Sequence, residues 1–305
     1  MTTAYNFLKE SRVHLVYGGS RYLLKTTPDV SFSQTFAEDA YEVKTLHDQT
    51  KMFLGTSVTK ANPADFNFQV ALTQEKDESI VKSLLTDYDT STGEQLLKKF
   101  DLYFVSGEST FKIHDCVITN GDFIMERTKP LTLSVSGQGT KLERVGNASY
   151  VDSLSESLVS PSSTRTPVKA LLDVEVGGAD VTNLVSTTLS VQNNIDWTPY
   201  ETLHESLSVT NASNAMYPSA YSLKDRVVSG NIVQYTGNNN STTAQSFNTN
   251  TSVAVKTIDQ NSTFFNANLS GCMFTKRLNV AEVFTQTFDY RLVTSPANLG
   301  TIITY

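Results

Sequence analysis

Alternation of apolar with other residues, recurring in both halves of this 305-residue chain, constrains the fold more than any other feature. Val13, Leu15 and Tyr17 occupy every second position of a segment that ends in a Gly-Gly pair. The same period runs through 66–72 and returns in 170–178, again before a Gly-Gly pair. A period of two is typical of β-strands, and such glycine pairs are typical of hairpin turns. We therefore expect a mainly β protein, sandwich-like or barrel-like.

One segment departs from this period. Ile80, Leu84 and Tyr88 are spaced as on one face of an amphipathic helix, which predicts a helix over Glu75–Tyr88 that flanks the sheet. Acidic residues are concentrated at its start, where the helix dipole favours negative charge. The expected fold class is therefore mainly β with one flanking helix.

Several short matches between the two halves indicate an internal repeat. Thr-Leu-His occurs at 45–47 and at 202–204, an offset of 157 residues. The two cysteines, Cys116 and Cys272, begin similar segments at an offset of 156, and a later pair of segments beginning at 132 and 287 has an offset of 155. Offsets that change this little, and in order along the chain, predict a tandem duplication with small deletions. The offset of 157 aligns two further pairs: Phe32 with Leu189, and Phe66 with Leu223.

The repeat divides the chain into two expected domains of the same type. We predict a first domain over 1–145, a linker over 146–169 and a second domain over 170–305. The linker is rich in serine, contains two prolines and is expected to hold a short helix over Val151–Leu158. In the second domain, the polar tract 237–252 stands where the first domain has its helix.

Charge and composition exclude several classes of function. The formal net charge is −7, with 24 Lys and Arg against 31 Asp and Glu, and no cluster of basic residues is available to bind nucleic-acid phosphates. No apolar run approaches the ~20 residues that a membrane-spanning helix needs, so no membrane anchor is expected. The first residues do not form an export signal, which favours synthesis in a cytoplasm and reduced cysteines.

No group of residues predicts a catalytic, cofactor-binding or metal site. His114 and Cys116 are two positions apart and would share one side of a strand, but no second pair of ligands lies near them in the sequence. Cys116 and Cys272 are expected at equivalent places in separate domains, too far apart for a disulfide and buried as small apolar residues. We therefore predict a protein that is not an enzyme and uses no cofactor.

A long connection interrupts the strands in each half, at about 37–65 and about 194–221. Connections of about 30 residues inside a compact domain usually act in binding or assembly. Both contain a Thr-Leu-His element and apolar residues, which imply a partner that covers them. The candidates for an assembly surface are Tyr41, Leu46, His47, Met52, Phe53, Trp197, Tyr200, Leu203 and His204.

The order of these elements resembles the tail tube proteins of long-tailed bacteriophages. The resemblance rests on the alternating segment 29–36, the long connection, the strand at 65–73, the helix and the closing strand pair at 115–137. Most proteins of that family have one such domain and form hexameric rings, whereas some carry the fold twice and form trimeric rings with pseudo-sixfold symmetry. The duplication here resembles the second type. It implies stacked rings whose strands join into a β-barrel around a lumen.

The resemblance also implies a function. The chain would be a structural virion protein that polymerises into the phage tail tube and conducts the genome into the host. Its partners would be sister subunits in stacked trimeric rings and the terminator, distal tail and tape measure proteins, while DNA passes an acidic lumen without specific binding. Another ring-forming tail component, a distal tail or baseplate hub protein, is the alternative within this class. A carbohydrate-binding adhesin module is the alternative from another class, permitted by Trp197 and the abundance of Asn, Ser and Thr.

Overall fold

The computed structural model describes residues 11–45, 48–89, 96–126, 129–168, 171–197, 216–237, 250–259, 262–294 and 298–305. Over 38–45 and 48–59, and at 171, 259 and 262, it describes the backbone alone. The described part is built mostly of β-strands and contains one α-helix, α1, at Ser79–Thr86. The prediction of a mainly β fold with one helix is therefore confirmed. None of the helices in these residues combines the length and the apolar character needed to cross a bilayer.

The first twelve strands form what we call the first strand set. Its long strands alternate buried and outward side chains, as Phe66, Phe68 and Val70 do on either side of the polar Asn67 and Gln69. The strands are β1 (Arg12–Tyr17), β2 (Ser20–Leu24), β3 (Ser31–Ser33), β4 (Phe36–Thr45), β5 (Asp48–Ala61), β6 (Ala64–Ala71), β7 (Tyr88–Asp89), β8 (Leu96–Leu97), β9 (Phe100–Val105), β10 (Thr110–Glu126), β11 (Thr132–Gly139) and β12 (Leu142–Gly146).

A connecting segment, residues 147–170, leads to the second strand set. The segment contains a 3-10 helix at Val151–Ser153 and one short strand, β13 (Ser157–Val159). The second strand set consists of β14 (Leu171–Val176), β15 (Ala179–Asp180), β16 (Leu184–Trp197), β17 (Tyr221–Tyr235), β18 (Thr251–Asp259), β19 (Ser262–Asn279), β20 (Thr285–Leu292) and β21 (Ile303–Thr304).

The two strand sets pair in the same pattern. In the first, β1 pairs with β2 and β9, β9 with β10, β10 with β11, β11 with β6, and β6 with β3. In the second, β14 pairs with β15 and β18, β18 with β19, β19 with β20, β20 with β17, and β17 with β16. The hairpin glycines correspond as well, because Gly18-Gly19 and Gly177-Gly178 all have positive φ.

A β-bulge precedes each cysteine. The pairing of β10 with β9 shifts just before Cys116, and the pairing of β19 with β18 shifts just before Cys272. The residue before each cysteine has a positive φ, 47° at Asp115 and 83° at Gly271. Both thiols are free and buried, and burial raises the pKa of Cys272 to about 11. Each cysteine therefore fills a corner where its strand exchanges one partner for the next.

A glycine–aromatic pair lies at corresponding places in the two sets, with the residues exchanged. Gly137 of β11 lies opposite Phe66 of β6, and Gly230 of β17 lies opposite Tyr290 of β20. A Cβ at either glycine would collide with the opposing ring or its hydroxyl. The counterpart of Phe66 in the pairing is therefore Gly230 and not Leu223. The constant offset fails here because the second long connection contains more residues than the first.

α1 is shorter than the predicted helix over Glu75–Tyr88. The Glu75 carboxylate accepts hydrogen bonds from the backbone N–H and the hydroxyl of Thr166, at 2.9 and 3.0 Å. Lys76 has a φ of 60°, so the chain turns before the helix begins at Ser79. The first helical turn contains no acidic residue. The prediction of acidic residues in the first helical turn is wrong, because the Glu75 carboxylate binds the connecting segment instead.

The connecting segment packs on the first strand set. β13 pairs in parallel with β2, and Val151 is buried beside Tyr103 and Val105. Farther along, Arg165 forms an ion pair with Glu78 at the start of α1. The predicted helix over Val151–Leu158 is wrong beyond its first turn, because the chain extends into β13, where it gains backbone hydrogen bonds to β2.

Candidate assembly interface

The two strand sets meet where β10 pairs antiparallel with β16. The register joins residues 120–126 of β10 to residues 186–192 of β16. At its middle, Phe123 lies opposite Leu189, both fully buried, and the Phe123 ring centroid is 5.0 Å from that of Phe265 in β19. Pairing therefore continues through both sets in the order β3-β6-β11-β10-β16-β17-β20-β19, which we call the eight-strand series.

A buried arginine fills the space between this junction and the helix. Arg226 of β17 is 3% exposed and donates hydrogen bonds to the carbonyls of Thr86 and Leu85 at 2.8 and 3.4 Å. It also donates to Asn193 Oδ1 at 2.6 Å, and its guanidinium carbon is 4.0 Å from the ring centroid of Tyr88. Burial lowers the pKa of Arg226. The helix C-terminus partly offsets this cost, because its last carbonyls have no partner within the helix and it is the negative end of the helix dipole.

The eight-strand series ends at two different edges. At one end, Ser31–Ser33 of β3 pairs with β6, and at the other end, residues 276–279 of β19 pair with β20. Within the described ranges, no strand pairs with the opposite edge of either segment. Such edges present backbone N–H and C=O groups in a row, and they are templates for pairing with another chain.

Leu278 occupies in β19 the place that Phe123 occupies in β10. Phe123 lies opposite Leu133, the second residue of β11, and Leu278 lies opposite Gln286, the second residue of β20. Phe123 is fully buried against the second strand set, whereas Leu278 is 54% exposed. The second set therefore leaves uncovered an apolar position that the first set covers with a neighbouring strand.

One face of the eight-strand series is polar. Every second residue points away from the core, and most of these residues are Ser, Thr, Asn or Gln, such as Gln69, Ser134, Thr188 and Asn231. Arg277 and Asp289 form an ion pair there. Carboxylates outnumber guanidinium groups on this face, which is therefore hydrophilic with an acidic excess. Its charged residues are Asp65, Asp122, Glu126, Asp225, Asp289, Arg277 and Arg291.

The predicted assembly candidates lie on, or next to, two excursions at the same end of the series. β4 and β5 form a hairpin that extends β3 and β6, and the connection between β16 and β17 leaves from the same end. Tyr41, Met52 and Phe53 lie on the hairpin, in the part where the backbone alone is described. Outside the described residues lie Leu46, His47, Tyr200, Leu203 and His204, together with 238–249 of the polar tract. For all of these, a role in assembly stays a prediction.

Trp197 is the one candidate whose side chain is described. It ends β16, and its Nε1–H donates a hydrogen bond to Gln138 Oε1 of β11 at 2.9 Å. Its ring centroid lies 5.4 Å from that of Tyr221, and the Tyr221 hydroxyl donates to the carbonyl of Leu97. Trp197 therefore joins the second strand set to the first within one chain.

His114 and Cys116 do not share a side of β10, contrary to expectation. The positive φ of Asp115 turns the strand, so that Cys116 is buried while His114 Nε2 lies 2.7 Å from Glu143 Oε1. Elsewhere, Asp173, Glu175 and Asp180 bring three carboxylates within 4.8 Å of one another. Lys256 Nζ lies 2.5 Å from Glu175, so that cluster already has a cationic partner.

A sequence profile of the Bacteriophage Baseplate Tube Protein Family matches residues 3–305. The chain belongs to this family. Comparison with curated proteins finds no match. As a member of the Bacteriophage Baseplate Tube Protein Family, the chain is a structural component of the phage tail or baseplate and thus of the virion. The family agrees with the predicted structural role, and it fits the baseplate alternative as well as the tail tube.

The residues at the β10–β16 junction were not predicted from the sequence. Arg226 stands in β17 at the period of the buried Val228 and Ile232, where an apolar residue is expected. Asn193 holds the same kind of position in β16, two residues after the buried Val191. A polar residue on the buried period of a strand was the available signal, because such a residue needs a partner in the core.

Proposed function

We propose that this chain assembles into a trimeric ring in which six strand sets enclose a channel for the phage genome. The proposal rests on the β10–β16 junction: each chain already joins two strand sets side by side through this antiparallel pairing, which we call the in-chain joint. β19 and β3 are the counterparts of β10 and β16, and they are the strands at the two ends of the eight-strand series. Joining β19 of one protomer to β3 of the next repeats the β10–β16 pairing, and closure removes both open edges of the eight-strand series.

The in-chain joint gives the register of the proposed joint between protomers. Ile124 pairs with the first residue of β11 and Asn279 with the first residue of β20, so Asn279 takes the place of Ile124. Thr188 is the in-chain partner of Ile124, and it directly precedes Leu189. Ser31 directly precedes Phe32, the counterpart of Leu189, so Ser31 takes the place of Thr188. Asn279 of one protomer would therefore lie opposite the Ser31 position of the next. The neighbouring pair would be Leu278 and Phe32, which repeats Phe123 and Leu189.

The polar face of the series would line the channel. Its hydroxyl and amide groups keep the wall wetted, and its excess of carboxylates repels the phosphates of passing DNA. Asp122 and Asp225 would then be among the acidic residues that line the predicted lumen. The opposite face holds the hydrophobic core and α1, so the channel wall would carry only scattered apolar side chains, such as Met273 and Tyr235.

Negative-stain electron microscopy of the purified protein tests the ring. We expect closed rings with threefold symmetry, built of six similar lobes around a central hole. Sixfold rings of whole chains, or single chains at every concentration, would refute the proposal. The length of the assemblies separates two roles: a tail tube subunit would form long tubes, whereas a baseplate ring would stay as single or few-layered rings.

A cysteine pair tests the register directly. We expect Ser31→Cys combined with Asn279→Cys to form disulfides between chains, because directly opposed residues in antiparallel strands lie within the ~7 Å Cα limit. Both native cysteines are buried and do not compete. The matched control is Ser31→Cys with Arg277→Cys, which shifts the pair by two residues on the same face. Equal yields from both pairs, or single chains alone on a non-reducing gel, would contradict the register.

A further inference from the structure

The turn between β19 and β20 exposes three large apolar side chains close together in the sequence. Val280 is 70% exposed, Val283 57% and Phe284 48%. The counterpart turn between β10 and β11 is different, because Leu131 there is 3% exposed. Exposed clusters of this kind mark surfaces that a partner covers. The first strand set shows how such a turn is covered.

In the first set, the connecting segment forms a triangle of backbone hydrogen bonds over the turn. The Leu72 N–H donates to the carbonyl of Leu131 at 2.9 Å, the Leu131 N–H donates to the carbonyl of Val168 at 3.1 Å, and the Val168 N–H donates to the carbonyl of Leu72 at 3.3 Å. Val168 is fully buried. The segment that covers the turn is therefore the one that leads into β14, the first strand of the next strand set.

The second set has one side of the same triangle. The Thr236 N–H donates to the carbonyl of Phe284 at 2.9 Å, as Leu72 does to Leu131. In the part of the chain that the structure describes, no segment lies where Val168 lies in the first set. Among the described residues, the place beside Thr236 and Phe284 that corresponds to that of Val168 is not filled.

We infer that this place takes the N-terminal segment, residues 1–10, of the neighbouring protomer in the ring. This inference rests on the proposed ring. In the chain, the segment before the second strand set covers the turn of the first set, and residues 1–10 hold the same place before the first set. In a ring, the set that precedes the first set of one protomer is the second set of its neighbour.

Counting along the chain identifies the contact residue. Val13 lies opposite Phe104 of β9, and Val174 lies opposite Val255 of β18. Phe104 and Val255 occupy corresponding positions relative to the bulges before Cys116 and Cys272, so Val13 and Val174 correspond to each other. Val168 stands six residues before Val174, and Phe7 stands six residues before Val13. Phe7 would therefore pair with Thr236 and Phe284 of the neighbour, and its ring would cover the exposed valines. Tyr5 and Leu8 make this short segment apolar enough to do so.

Hydrogen exchange on assembled rings tests the inference. We expect the peptide containing Phe284 to exchange at least tenfold more slowly in full-length rings than in rings of a variant lacking residues 2–9 or carrying Phe7→Asp. Thr3→Asp is the control and should exchange like the full-length protein. Rings that form normally but exchange at the same rate with and without the segment would overturn this inference and leave the ring intact. Failure of the full-length chain to form rings would overturn both.

A cross-link decides the case in which the shortened chain does not assemble. Phe7→Cys with Phe284→Cys should give disulfide-linked chains, because the two positions would belong to different protomers. A disulfide within one chain would place the segment on its own second set and refute the exchange between protomers. Absence of any disulfide in assembled rings would overturn the inference.

Discussion

Replacing Arg226 by Met tests whether the two strand sets are held together through the helix. Methionine keeps most of the apolar volume of the side chain but none of its hydrogen-bond donors. The carbonyl of Thr86 and Asn193 Oδ1 would lose donors at 2.8 and 2.6 Å in a buried site. The backbone carbonyl of Leu85 would still accept a hydrogen bond from the side-chain amide of Asn193. The polar loss is therefore confined to two acceptors.

The expected loss of stability is about 3 kcal/mol. Each buried acceptor left without a donor costs ~1–3 kcal/mol, which gives ~2–6 kcal/mol for the two. Removing a buried guanidinium also removes the cost of its desolvation, which places the net effect in the lower half of that range. Arg226→Lys should lose less, because an ammonium reaches one acceptor but cannot form the fork that joins the helix end to Asn193.

Urea unfolding followed by the fluorescence of the single tryptophan measures this loss. Trp197 is suited to it because it contacts Gln138 of the first strand set and reports the junction itself. Arg144→Ala, at an exposed position of β12, is the matched control and should change the free energy of unfolding by less than about 0.5 kcal/mol. If Arg226→Met stays within about 1 kcal/mol of the parent protein, the helix is not the link between the strand sets.

Two further results are expected. His14 is 2% exposed, and its pKa is lowered from 6.5 to about 4, first by burial and then by the charges of Arg12 and Arg21. Neutral His14 therefore stabilises the folded state; this contribution is fully present above about pH 6.5 and is lost as the pH falls towards 4. Between pH 7 and 4.5, the free energy of unfolding of His14→Leu, measured in urea, should fall by about 2.5 kcal/mol less than that of the parent protein. An equal loss in both proteins would contradict that reasoning. Leu278→Asp and Phe32→Asp each block one edge, so each variant alone should remain monomeric, while their mixture should give dimers by analytical ultracentrifugation. A mixture that stays monomeric would reject the paired edges.

The local pattern of the sequence was enough to predict several strands of both sets, but not β4 and β5, which form a hairpin within the predicted connection at about 37–65. Alternation marks β1, β6 and β11, because one face of each strand is buried and the side-chain period of a strand is two. Cys116 and Cys272 begin similar sequence segments, and the structure places a β-bulge with the same spacing before each of them. Prediction failed at the helix start, where Glu75 binds Thr166, a residue 91 positions away.

The pairing of strands across the junction could not be predicted from local pattern. β10 and β16 present alternating residues that would suit many neighbours, and register between such strands is set by which faces are buried in the folded protein. The Asn120-Gly121 pair suggests a turn, yet it lies inside a 17-residue strand, because Gly121 lets Leu85 of the helix approach the sheet. The site therefore depends on contacts between distant segments, which single-sequence periodicity does not encode.

The two edges of the eight-strand series differ in sequence and position, and this limits what the protein can assemble into. A contact between β19 of one protomer and β3 of another is heterologous, so two chains cannot satisfy both edges by facing each other across a twofold axis. Such a contact either closes into a ring or continues as an open filament. The in-chain joint already fixes the rotation from one strand set to the next, because its register and the buried Phe123–Leu189 pair are part of the fold. If the joint between protomers repeats that rotation, the number of sets in the ring is determined inside a single chain, before any partner is met.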